Sequence, residues 1–263
     1  MSNPVFVLIH GAWHTPHCWT KLIPELQKHG YEAVAPQMPS SATPPAKDWD
    51  QDIETIRSTV TKLAKDHGRD IIMALHSNAG MTGGTALEGL SKDECVKNGW
   101  KGGVVRLVYI CGYIVPEGTQ LASPGNRGMM DKDITIDFDT NLMTVAPDQV
   151  KSMMYQDLSD EEVAEVAKTL NPHSFGAVCK PTWYAAWKYI PTTYVITLRD
   201  KPSTVMAAEA LVKGAMESEP TKVEKVIRAE SGHSPFWSRP KWCAKMLIEE
   251  DRPKKAHADI MHE

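Results

Sequence analysis

Asp70-Ile71-Ile72-Met73-Ala74-Leu75-His76-Ser77-Asn78-Ala79-Gly80 is an apolar run that stops at a serine set among small residues. A short continuous hydrophobic run marks a strand buried on both faces of a parallel sheet. Gly80, Gly83, Gly84 and Ala86 then allow a helix to reverse sharply and pack close to that strand. The pattern predicts a strand-turn-helix elbow that holds Ser77 in a strained backbone conformation with its hydroxyl exposed above the sheet edge. One position departs from the G-x-S-x-G pattern: Ala79 supplies the second small residue, but Leu75 stands where the first is wanted.

A serine hydroxyl is a weak nucleophile and needs a base, which in turn needs a carboxylate to fix its tautomer. Two later segments supply both in the order serine, acid, histidine. Residues 191–198 form a β-branched and aromatic run ending at Arg199-Asp200, and Lys201-Pro202 closes it. Residues 223–228 alternate as a strand, and Ser231-Gly232-His233-Ser234-Pro235-Phe236-Trp237 then turns into a helix spanning 242–248. Catalytic groups gather beyond the carboxyl ends of parallel strands, so Ser77, Asp200 and His233 converge on one rim. Asp200 also reads as a turn former and His233 as a loop histidine, but chain order and strand context favour the triad. Glu117, after the strand over 104–111, is the rival acid, and Asp157 is a weaker one.

The N-terminal strand over 4–9 runs into His10-Gly11-Ala12-Trp13-His14 and a helix over 19–28. A histidine-glycine pair lets the backbone turn an N–H toward a developing oxyanion, and Ala12 and Asn78 are the expected donors. Gly11, Trp13 and His76 flank that site and are expected to meet substrate. His10, His14 and His17 match no strong metal-ligand spacing, so no metal is expected.

A strand over 31–36 and a helix over 49–67, after a Pro/Ser/Ala-rich loop, complete an alternation of strand and helix. The fold class is therefore α/β, a doubly wound and mostly parallel sheet with helices on both faces. Residues 115–189 break the rhythm and are expected to form an inserted helical cap, leaving 1–114 and 190–263 as the core. Within the cap, 125–140 is irregular, helical patterns cover 147–155 and 160–170, and Met129, Met130, Met153, Met154, Phe175, Trp183 and Trp187 offer an adaptable apolar lining.

On His10-Gly11-Ala12-Trp13, His76-Ser77-Asn78-Ala79-Gly80, residues 194–200 and Ser231-Gly232-His233-Ser234-Pro235-Phe236, the chain resembles the α/β-hydrolase superfamily over essentially its whole length. It is most similar to the branch of plant methyl esterases, hydroxynitrile lyases and compact microbial and fungal hydrolases. The resemblance implies a Ser77–Asp200–His233 triad and a substrate resembling an ester. Hydroxynitrile lyases of this branch carry threonine where this chain has Gly11 and lysine directly after the catalytic histidine, where this chain has Ser234. Lacking both groups, the chain is expected to hydrolyse rather than cleave cyanohydrins. The expected activity is that of a cofactor-independent serine hydrolase of the carboxylesterase type, acting on an ester, lactone or thioester with a sizeable apolar portion. The alternatives are a natural-product tailoring enzyme that turns the triad to carbon–carbon cleavage, cyclisation or elimination, and a small-molecule receptor that turns over very slowly.

At 263 residues the chain can bury a full doubly wound core. A net charge of −4, with no basic stripe interleaved with aromatics, disfavours nucleic acid as a partner. No run is long enough to span a bilayer, and a core strand begins near residue 4 with no apolar leader before it. Five scattered cysteines suit reduced thiols, so cytoplasmic residence is expected, as a monomer or homodimer. Arg252-Pro253-Lys254-Lys255 reads as a solvated tail.

Overall fold

The computed structural model describes residues 3–128 and 130–251, so Met129 and the expected tail at 252–255 lie outside the described residues. Its strands are β1 (Val5–Ile9), β2 (Ala33–Val34), β3 (Asp70–His76), β4 (Gly103–Ile110), β5 (Ile134–Asp137), β6 (Leu142–Val145), β7 (His173–Ser174), β8 (Thr192–Thr197) and β9 (Val223–Ala229). Six of them form one sheet in the order β2-β1-β3-β4-β8-β9, with every pairing parallel. Parallel neighbours need crossovers, and the helices that supply them cover both faces.

Successive strand side chains point to opposite faces, which divides the apolar runs between two cores. Ile71, Met73 and Leu75 of β3 pack with Ile53, Ile56 and Val60 of the helix Asp50–Thr61 and with Met81 of the helix Ala79–Ala86. Ile72 and Ala74 point the other way, with Val108 and Ile110 of β4, toward Leu22 and Leu26 of the helix Leu22–Lys28 and Leu247 of the helix Pro240–Glu249. Each fully buried Leu, Ile or Val here contributes about 2 kcal/mol of transfer free energy. The helix expected over 19–28 starts later, at Leu22, after a separate 3-10 turn at Pro16–Trp19, with Pro24 in its first turn where a missing N–H costs little.

The departure at Leu75 has a local answer. Leu75 is fully buried, and the small residue that permits close approach lies across from it, at Gly83 on the following helix. A Cβ on Gly83 would collide with Leu75 Cδ2. Bulk and void have changed places between strand and helix, so the elbow closes all the same.

The segment between β4 and β8 is not purely helical. β5, β6 and β7 form a three-stranded antiparallel sheet, alongside the helices Val150–Met154 and Asp160–Ala167. The stretch expected to be irregular over 125–140 contains β5, whose Ile134 is buried and whose Thr135 and Asp137 face out. Asp137 Oδ1 accepts from the N–H groups of Asp139 and Thr140, and Asn141 adopts φ 60°, which together close the hairpin to β6. The helix expected over 160–170 starts at its Ser159–Glu162 capping box and ends three residues short of that range.

Among the described residues no helix is long and apolar enough to cross a membrane.

Candidate active site

Ser77 follows β3 directly with φ 53°, a left-handed conformation that a side chain rarely adopts. Hydrogen bonds on both sides hold it there: its N–H donates to the Ile110 carbonyl at 3.1 Å, and its own carbonyl accepts from Gly80 and Tyr113. Close packing fixes the same turn, since a Cβ on Gly80 would lie 2.7 Å from the Tyr113 backbone and one on Gly11 would lie 2.8 Å from Ser77 Cβ.

Asp200 follows β8, and His233 lies in the loop after β9. His233 Nδ1 lies 2.7 Å from Asp200 Oδ2, and both side chains are almost wholly buried. Asp200 is itself fixed: Oδ2 also accepts from Thr197 Oγ1 at 2.7 Å, and Oδ1 accepts from the Ser203 N–H at 2.9 Å. With Nδ1–H donated to the carboxylate, His233 Nε2 is left as the basic nitrogen. Glu117, the rival acid, is instead paired with Lys188 at 2.5 Å.

Ser77 and His233 line one cavity of about 220 Å³, and Ala12 and Asn78 line it too. Among the described residues no hydrogen bond engages the N–H of Ala12 or Asn78. Trp13 also faces this cavity, anchored by its indole N–H donating to the Met143 carbonyl at 2.9 Å. Met130, Met143, Met153 and Met154 give it a soft apolar wall.

Four residues expected to meet substrate lie elsewhere. Gly11 and His76 sit behind the cavity. The Gly11 N–H donates to His76 Nδ1 at 3.3 Å, so the ring proton is on Nε2, which donates to the His233 carbonyl at 3.0 Å. One buried imidazole thus ties the N-terminal turn, the nucleophile strand and the histidine loop together. Trp187 is buried with its indole N–H on the Val115 carbonyl, and Trp183 is half exposed with its edge on Trp49. Phe175, another expected lining residue, packs edge-on against Phe138.

Contacts missed by sequence reasoning hold the histidine loop from the other side. The His233 N–H donates to Gln156 Oε1 at 2.9 Å, and the Gly232 N–H donates to Asp157 Oδ2 at 3.0 Å. A Cβ on Gly232 would overlap Gln156 Oε1, so any larger residue there would displace that side chain from the loop. Asp157 therefore holds the backbone of the His233 loop, while the carboxylate on the His233 ring is that of Asp200. No local signal marks this pair, which meets the loop across more than seventy residues.

His76, Cys111 and His233 bring potential metal-binding atoms within 4.8 Å of one another. Both His76 nitrogens and His233 Nδ1 are already committed to hydrogen bonds, and burial pushes the Cys111 thiol well above its usual range.

Burial lowers four histidines: His10 to about 4, His14 and His173 to about 3, and His76 well below its usual value. Each is uncharged in the folded protein but binds a proton near pH 6.5 once unfolded. Their stabilisation is complete above pH 6.5 and is lost as pH falls toward the folded values, at about 1.4 kcal/mol per pH unit for each. Asp52, raised by burial to about 6, acts with the opposite sign and offsets roughly one histidine as pH falls from 6 to 4. The net expectation is a loss of about 4 kcal/mol per pH unit below pH 6, enough to unfold an ordinary domain before pH 4. Urea midpoints followed by circular dichroism at pH 7, 6 and 5 should fall steeply, and an unchanged midpoint at pH 5 would contradict this account.

The sequence model of the Alpha/beta hydrolase family matches residues 6–246. The chain belongs to the α/β-hydrolase family. This α/β-hydrolase is 28% identical over 248 residues to alpha/beta hydrolase nvfD of Aspergillus novofumigatus, covering 94% of this chain and 96% of that one. It is 25% identical over 255 residues to probable hydrolase R7 of a Phoma species, covering 95% and 98% of the two chains. The crystal structure of polyneuridine aldehyde esterase superposes with a TM-score of 0.74 at 18% identity, over 95% of this chain and all of that one, a likeness of fold.

Proposed function

We propose that this α/β-hydrolase cleaves a carboxylic ester, lactone or thioester of a largely apolar small molecule through an acyl-enzyme on Ser77. The observation that carries the reading is one cavity, with a methionine-rich wall, shared by a strained serine, an aspartate-bound histidine and two unengaged backbone N–H groups. In this reading Ser77 Oγ attacks the carbonyl carbon and its proton passes to His233 Nε2. The negative charge on the carbonyl oxygen is met by the Ala12 and Asn78 N–H groups. Collapse breaks the bond to the leaving group, which takes the proton from His233. Water, deprotonated by His233, then attacks the acyl carbon and frees Ser77. Residues 115–189 act as the cap, with Met130, Met153 and Met154 shaping an adaptable acyl pocket.

A fluorophosphonate tests the chemistry directly. The intact protein should gain the mass of one phosphonyl group, located on Ser77 by peptide mapping, and lose its hydrolysis of p-nitrophenyl esters in parallel. An adduct on another residue, or hydrolysis that survives full labelling of Ser77, would reject the mechanism. A wild-type protein that neither reacts nor hydrolyses esters of any acyl length would reject the function.

A further inference from the structure

β4 runs into a residue for which the mechanism above has no role. Cys111 directly follows Ile110 with φ 41°, the left-handed region that Ser77 also occupies after β3. Glycine adopts that conformation freely and a residue with a Cβ does so at a cost, which points to a use for the side chain. Cys111 is 2% exposed, and its sulfur lies 3.3 Å from the His233 carbonyl oxygen and 3.5 Å from His233 Nδ1. The same sulfur meets the Thr197 and Asp200 side chains and the Ser77 backbone. One atom thus touches Ser77, Asp200 and His233 together.

The chemistry of those contacts limits what the thiol can do. A carbonyl oxygen only accepts, so the S–H donates to it. Nδ1 gives its proton to Asp200 Oδ2 at 2.7 Å, so the sulfur presents a lone pair to that N–H. Burial, followed by the charge of Asp200, pushes the thiol well above its usual range, which keeps it a donor and removes it as a nucleophile. Asp200 holds the imidazole at one atom, and a ring held by a single hydrogen bond can pivot about it, swinging Nε2 through an arc. His76 bonds only the His233 carbonyl and otherwise lies beside the ring as a tilted neighbour at 4.7 Å. Among the described residues Cys111 is the one side chain whose hydrogen-bonding atom meets both the ring nitrogen and the carbonyl of His233.

We propose that Cys111 is a positioning residue for the general base: its thiol, bridging the carbonyl and the ring of His233, fixes the pivot of the imidazole about its bond to Asp200 and keeps Nε2 directed at Ser77. The assignment rests on the esterase reading above and adds a fourth side chain to its machinery. Small errors of aim in a proton-transfer group are expensive, so loss of the bridge is read in the chemical steps and hardly in the binding of ester.

Cys111→Ala removes the bridge without adding bulk. It should lower kcat on p-nitrophenyl esters by about ten- to a hundredfold with KM little changed. Phosphonylation of Ser77 should slow by a similar factor, since that reaction uses the same base. Cys111→Ser keeps a donor for the carbonyl and should recover part of the loss. The spectroscopic signature is the low-field proton resonance of His233 Nδ1, identified by its absence in His233→Gln, which should move upfield and broaden in Cys111→Ala. A wild-type kcat in Cys111→Ala would overturn the inference, as would a loss carried by KM, equal losses in the two variants or an unmoved Nδ1 resonance. In the wild type a nuclear Overhauser contact should join the Cys111 S–H to the Nδ1 proton, and its absence where that proton is resolved would reject the inference even if neither variant folded. If the wild type hydrolyses no ester and Ser77 takes no phosphonate, the esterase reading has failed instead, and the two resonance measurements decide Cys111 alone.

Discussion

Ser77→Ala is expected to lower kcat on p-nitrophenyl esters by a factor on the order of 10⁶, close to the whole contribution of a serine triad. The backbone should survive the change, because the strained turn is held by the Ile110, Gly80 and Tyr113 hydrogen bonds, none of which uses the hydroxyl. What remains should be a slow, water-driven hydrolysis assisted by the Ala12 and Asn78 N–H groups, with no burst of p-nitrophenol and no acyl adduct. Pre-steady-state kinetics with both proteins checks this. A variant within tenfold of wild type would place the nucleophile elsewhere.

Asp200→Asn should cost about 10⁴ in kcat while leaving the fold intact. The reason lies in the three hydrogen bonds that the carboxylate accepts. The Ser203 N–H can only donate, so the amide oxygen of the variant must remain there. The amide nitrogen then faces Thr197 Oγ1 and His233 Nδ1, which it can approach only as a donor. His233 would be forced into the tautomer with its proton on Nε2, facing the cavity, and could no longer receive the proton of Ser77. The melting temperature should move by only a few degrees, since the volume is conserved and the Ser203 contact is kept. Near-normal turnover would show that the carboxylate is not the acid partner. Glu117 is poorly placed to inherit that role while it is bound to Lys188.

The framework of this site was readable because it rests on local patterns. β3, β8 and β9 were visible as apolar or alternating runs, and the parallel arrangement brings the residues that follow them to one rim. Ser77, Asp200 and His233 could be picked out for that reason. Leu75 looked like a defect because its complement, Gly83, lies on another element, and a motif written along the chain does not record which of two facing residues is the small one. His76 adjoins Ser77 in sequence, yet adjacent strand residues face opposite ways, and Gly11 is packed against Ser77 Cβ and the His76 ring. Trp183 and Trp187 lie away from the cavity for a related reason. Large aromatic side chains suit the packing of an insertion onto its core as well as they suit a ligand pocket. The hairpin of β5 and β6 did carry a signal, in the alternation from Ile134 to Asp137 and the turn residues Asp137 and Asn141, but it is short and lies beside a glycine-rich stretch. Gln156 and Asp157 left no trace at all, because their importance arises only where the chain returns to the histidine loop.

That return has a bearing on how enzymes of this shape can diversify. The segment from 115 to 189 walls the cavity, grips the His233 backbone through Gln156 and Asp157, and touches the N-terminal turn through Met143 and Trp13 and through Asn171 and Trp13. It cannot be exchanged as a detachable module. A graft from a relative would bring new walls but would also release the His233 loop, unless it carried an equivalent pair of acceptors to the same two N–H groups. New specificities are more accessible through changes at Met130, Ile134 or Val178, which touch the cavity, while positions 156 and 157 stay as they are.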